Sequence, residues 1–563
     1  MNTKTKKKSG VAALFFVAIA AYAGNERGID LYRAELYEAA KLELKAQTNQ
    51  SPAEQAENQY YLGETYFALQ QLDSAKACYT QAVASDPNYP FGYVGEGKIA
   101  LKQGSINDAK DLFKKAAGLA PKKDASVHTA IAEVYIDAKM FADADASLTK
   151  AEKADKKDSE RFLALAALAV QQGKPNEANG WYEQALYFNP DDKVANLKLA
   201  KVYRYSNPTA AMDYLNKLIS IDPEYIPAYA LIGDINRSIG NYGTALSAYE
   251  KFISIPGVPI QQYEYYAQLL YFTKQYEQSL SQIDFVLSKD PNNQVMLRIK
   301  AYDHYELGNT ALAVQELKTL LEVMPKEKHI YLDYITYGRA LMKEKQSEEA
   351  IAALVKASEL EPEKAEVFKE LADAYESVKN YPEAIKAYEQ YMALEPNVPS
   401  QDYYYFGVAV YTAASQYIDE NYKASVTPEQ LQADEIVFDG LIAKGDSAFS
   451  TFMQRMPDSY IGYVWKANLY SLVDAKRQES PRSPLPGVAK PYYESALEFM
   501  LNNNPEGKRN KDIVRAYNYL KSYYLLSDDT ANAAKYCNEI LAIEPDNADA
   551  KYLLSELAKL KKQ

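Results

Sequence analysis

Cysteine, histidine and tryptophan are nearly missing from this chain. Two cysteines and three histidines in 563 residues leave no disulfide framework. They leave no Cys/His cluster at metal spacing either. Cys78 and Cys537 fall beside or on apolar helix positions near opposite ends of the sequence, so both are expected as buried thiols. His304 stands where an aromatic side chain would pack, and His128 and His329 have no Cys or His partner. No G-x-S-x-G, P-loop or H-E-x-x-H motif occurs. Gly95-Glu96-Gly97 resembles the start of a phosphate loop, but it lacks a third glycine and lies inside a helical stretch. Carboxylates are plentiful with no pair standing out, so the expectation is no enzyme, no cofactor and no metal. Basic charge is also short: a net charge of −13 argues against nucleic acid or anionic lipid as the main ligand. Beyond residue 23 there is no long apolar run, so no transmembrane segment is expected in the rest of the chain.

The start of the chain is different. Lys4, Lys6, Lys7 and Lys8 precede an apolar run from Val11 to Ala23 that ends Ala21-Tyr22-Ala23. This is the pattern of a secretory signal peptide (1–23) with an A-x-A cleavage site before Gly24. An uncleaved anchor is the alternative, though the run is short for a bilayer. No cysteine follows it, which disfavours a lipid anchor.

What the chain does have is tyrosine, 50 of them, and a period. The stretch from Asn58 to Pro87 carries Leu62, Gly63 and Tyr66, then Ala75, Tyr79, Ala82 and Pro87. Thirty-four residues on, the second half returns as Ala109, Phe113, Ala116 and Pro121. It returns again at Ala178, Tyr182, Ala185 and Pro190, and at Ala384, Tyr388, Tyr391 and Pro396. A fixed period in this range marks a solenoid. Each unit offers two stretches of about 13 residues, short for free-standing helices. Small residues (Gly63, Ala75) let the two helices approach, aromatics (Tyr66, Tyr79) fill the gap, and Pro87 stops the second helix.

With L-G-x2-Y followed by A-x3-F, A and P, the pattern resembles the tetratricopeptide repeat family. The resemblance implies an all-α fold: a right-handed superhelical solenoid of about 13 helix-turn-helix repeats with capping helices. In order, 24–56 is expected as an N-terminal cap or a degenerate second helix, with ten repeats over 57–397. The third repeat has Lys156 in place of its proline, the fifth has a turn clipped at Ser206-Asn207-Pro208, and three extra residues precede the ninth. Two irregular repeats follow over 398–508. They carry insertions at 416–438, with a helix start at Thr427-Pro428-Glu429-Gln430, and at 476–487, which is proline-rich. A C-terminal repeat (509–546) and a capping helix (547–563) close the chain.

In the resembled family, first helices line a concave groove. Carried over by register, that implies a partner-binding surface at Tyr271, Arg298, Tyr302, Tyr305, Arg339, Tyr404 and Tyr411, aromatics and arginines of the kind favoured at interface anchors. The family's carboxylate clamp is absent in the fifth and sixth repeats, where Leu197, Lys201, Ala230 and Asp234 occupy its places. The expectation is a non-catalytic, exported bacterial scaffold that binds a protein or peptide partner in the periplasm or envelope. The alternatives are an envelope carbohydrate- or nutrient-binding helical-repeat protein, with tyrosines stacking on sugar rings, and an enzyme hidden in the irregular segment.

Overall fold

The computed structural model describes residues 25–48, 50–421, 427–502 and 507–560. The signal peptide expected over 1–23 and part of the 416–438 segment lie outside them. The described residues form twenty-nine α-helices and one 3-10 turn. They fall into two compact units, 1–303 and 304–563. Each unit is a stack of helix pairs, such as Pro52–Ala68 with Leu72–Ser85 and Ala365–Ser377 with Tyr381–Leu394.

One contact recurs and explains why a glycine stands in the first helix of several repeats. A Cβ on Gly63 would stand 2.5 Å from the Tyr79 ring, sixteen residues on. The same step joins Gly97 to Phe113 (2.3 Å), Gly233 to Tyr249 (2.4 Å) and Gly338 to Leu354 (2.7 Å). The side chain of the second helix packs on the bare backbone of the first. Gly97 is thus a packing glycine. The buried tyrosine then needs a partner for its hydroxyl. Tyr79 donates to Glu64 (2.7 Å), Tyr249 to Asp234 (2.6 Å) and Tyr388 to Asp373 (3.5 Å), each fifteen residues back.

The turn inside each pair has its own rule. Gln70, Gly104, Lys139, Gly173, Gly240, Lys274, Gly308, Lys345 and Lys379 all have φ between +58° and +83°. The next N–H reaches back to close the helix, as in Gln71 to the Tyr66 carbonyl and Asn380 to the Tyr375 carbonyl, both 2.9 Å. The clipped fifth repeat lacks this residue. There Asn207 caps the second helix directly by accepting from the Ala210 N–H at 3.2 Å. The three extra residues before the ninth repeat form the 3-10 turn Lys326–Lys328.

Three expectations need correction. The 24–56 segment is not one cap: it holds two helices, Glu26–Arg33 and Tyr37–Ala46, with Gly28 packed on Leu44 at the same sixteen-residue step. It is a shortened repeat. Second, the described parts of the 416–438 segment are not set apart from the eleventh repeat's helices. Its described parts lengthen that repeat's own helices to Ser400–Asn421 and Pro428–Arg455, with Phe438 fully buried between them. Thr427 and Gln430 form the capping box that starts the second. Third, 476–487 is only in part a loop: Tyr460–Arg477 runs into it, and buried Asp474 accepts the Val488 and Ala489 N–H groups at 2.8 and 2.9 Å and the Tyr519 hydroxyl. Cys78 and Cys537 are free and buried.

Candidate binding surfaces

In the first unit the first-helix face is already occupied. The N-terminal hairpin, 26–46, rests on it. Leu31, Ala39 and Ala40 join one apolar cluster with Ile226, Phe252 and Tyr266. Ala34 joins another with Leu197 and Leu215. Around this apolar strip run ion pairs: Asp30 with Lys193 (2.8 Å), Glu35 with Lys198 (2.5 Å) and Lys201 (3.0 Å), and Arg33 with Glu160 (2.8 Å). Helices of the first, fourth, fifth and sixth repeats all touch these 21 positions, so the first unit curves round its own N-terminus.

The floor of this face carries a buried charge pair. Glu64 and Lys98, 6% and 8% exposed, meet at 2.8 Å, and Tyr32 of the hairpin donates to the same carboxylate at 2.9 Å. Burial alone would raise the Glu64 carboxyl, but Lys98 with the Tyr79 and Tyr32 hydroxyls holds it below its ordinary value. Burial raises the Asp30 carboxyl more than Lys193 lowers it.

The seven residues taken from register fall in separate places. In the first unit, the Tyr271 ring lies 6.0 Å from the Tyr302 ring, and Arg298 is half-buried. Tyr302 is only 2% exposed, which corrects its assignment to a partner-facing surface: it packs inside the repeat. In the second unit, burial raises the half-buried Tyr305 hydroxyl, which the nearby Arg339 charge opposes. Arg339 is paired onward, to Glu370 at 2.8 Å and Glu366 at 3.3 Å in the next repeat. Tyr404 and Tyr411 gather on Trp465, their rings 6.1 and 5.3 Å from its ring, with Phe449 stacked at 6.2 Å. Beside them Tyr405 is 46% exposed. Trp465 was overlooked by register because it comes from the following repeat, across the lengthened helices.

His304 is buried, its Nδ1 2.7 Å from a Glu316 carboxylate oxygen, and His329 is buried against the Tyr334 hydroxyl and the Met324 carbonyl. Among the described residues no group of three or more His, Cys, Asp or Glu could hold a metal ion, and no helix is long and apolar enough to cross a membrane.

Tetratricopeptide repeat models match residues 56–89, 226–257 and 337–399. A DnaJ homolog subfamily C member 7 homolog from Schizosaccharomyces pombe is 22% identical over 379 residues, 61% of this chain and 79% of that protein. The human protein O-mannosyl-transferase TMTC3 is 23% identical over 203 residues, which span 29% of this chain and 22% of that protein. Among solved structures, the C-terminal part of a TPR repeat-containing protein from Cytophaga hutchinsonii is 23% identical, with a TM-score of 0.37, covering 52% of this chain and 99% of that one.

Proposed function

We propose that this chain, a tetratricopeptide-repeat protein, is a non-catalytic scaffold, exported to the bacterial periplasm or envelope, that grips a protein partner on the first-helix face of its second unit. Its repeats make it a protein-interaction scaffold. The observation that carries the choice of surface is the Tyr404–Tyr411–Trp465 cluster with exposed Tyr405 at its edge, large rigid rings that gain contact area with little loss of side-chain freedom. A non-catalytic role is supported by what the buried carboxylates do. Glu64, Asp402 and Asp474 each accept a tyrosine hydroxyl, a structural use that leaves them engaged. Export rests on the lysines and apolar run of 1–23 and the A-x-A site before Gly24.

Two measurements test this. The mass of the chain recovered from the periplasmic fraction should begin at Gly24; recovery in the cytoplasm with residues 1–23 attached contradicts export. Crosslinking in the native envelope should join the chain to a protein that is lost with Tyr404→Ala and Tyr405→Ala. A partner retained by that variant moves the surface elsewhere.

A further inference from the structure

The hairpin 26–46 makes two sets of contacts, and only one belongs to a stack of repeats. Gly28 on Leu44 closes the hairpin as each repeat is closed, and Asn58 Nδ2 on the Leu44 carbonyl at 3.0 Å is the contact of a first repeat with its successor. The second set reaches far along the chain, to Glu160, Lys193, Lys198, Lys201 and Gly257. Stacking requires none of these.

From the side of the wall, the chemistry is specific. Lys193, Lys198 and Lys201 stand on one helix, Lys193–Tyr203, and meet two carboxylates, Asp30 and Glu35, five residues apart on the hairpin. Between the carboxylates, Leu31 and Ala34 fill an apolar strip, 1% and 6% exposed. We propose that this face of the first unit is a binding surface for an acidic amphipathic helix, with residues 26–46 as its built-in competitor. The inference is independent of the surface proposed on the second unit.

The hairpin is suited to leave. Its helices have 8 and 10 residues, too few to persist undocked. Apart from Leu31 and Leu44, its buried apolar side chains are alanines, and Leu42 is 42% exposed. Its ion pairs join partly exposed side chains, so salt weakens them. At one position the wall lies directly against the hairpin's backbone. A Cβ on Gly257 would stand 2.8 Å from the Ala39 backbone nitrogen and 2.9 Å from its Cα, and φ at Gly257 is +81°. A side chain there strains its own backbone and meets the hairpin's main chain, which cannot swing aside as a side chain could.

The test uses the full chain and a fluorescent peptide with the sequence of residues 25–48. Leu31→Asp, which unseats the covalent hairpin and leaves the wall unaltered, should let the chain bind the peptide about tenfold or more tighter than the unaltered chain does. Adding Lys198→Glu and Lys201→Glu should abolish that binding. Equal binding by the unaltered and Leu31→Asp chains, or none by either, overturns the proposal. Hydrogen exchange on the unaltered chain decides the matter if Leu31→Asp does not fold. Amides of 26–46 should open at high salt before those of Lys193–Tyr203 and Ile226–Ser238, and opening in one step with them overturns it.

Discussion

At Gly233 the nearest ring atom of Tyr249 leaves no room for a methyl group, and Tyr249 is itself fully buried and tied to Asp234. Gly233→Ala should therefore cost about 1–3 kcal/mol through overpacking, read as a lower denaturant midpoint with unchanged slope. The turn residues err in the opposite direction. Lys379 holds φ +61° with a full side chain, at a place where Gly104 and Gly240 serve other repeats. Lys379→Gly should stabilise the second unit by about 1 kcal/mol, the left-handed strain relieved exceeding the chain entropy added. The Glu64–Lys98 pair is the third case at this scale. Lys98→Met leaves a buried carboxylate without its counter-charge and should cost about 3–5 kcal/mol. The pH dependence follows from the depressed Glu64 pKa: its stabilisation is complete above the carboxyl's unfolded value and is lost as pH falls through the folded one. Glu64→Gln should therefore flatten the acid limb of the stability curve, and an unchanged limb contradicts the assignment.

Among the elements, the regular pairs were legible because one side chain per helix sets the approach: the glycine and the residue sixteen places on are both visible in the sequence. The irregular ones were not. Where Phe438 packs depends on how far two helices continue past their normal ends, and periodicity is silent on that. The 478–489 connection hides the same way, since nothing local says that Asp474 will catch two backbone N–H groups fourteen and fifteen residues on. Asp474→Ala should free the connection: trypsin should cut at Arg482 faster, with about 1–3 kcal/mol lost per buried donor left unpaired. The shortened first repeat did leave a signal, the sixteen-residue step from Gly28 to Leu44, but its first helix is too brief for the rest of the motif to appear.

For the molecule as a whole, sequence register found helices but not what faces them. It put Tyr302 on a surface where packing buries it, and it missed Trp465 and the lysines of Lys193–Tyr203, because occupancy of a face is decided by segments distant in the chain. The account that emerges has a first unit whose face is taken by its own N-terminus and a second unit whose aromatic cluster is offered to a partner. A photo-crosslinking amino acid at Tyr405, with a control at Tyr187 (75% exposed on a second helix), tests this most directly in the native envelope. The account predicts one discrete protein adduct from position 405 and none from 187. The same adducts from both positions, or a glycan in place of a protein at 405, would contradict it.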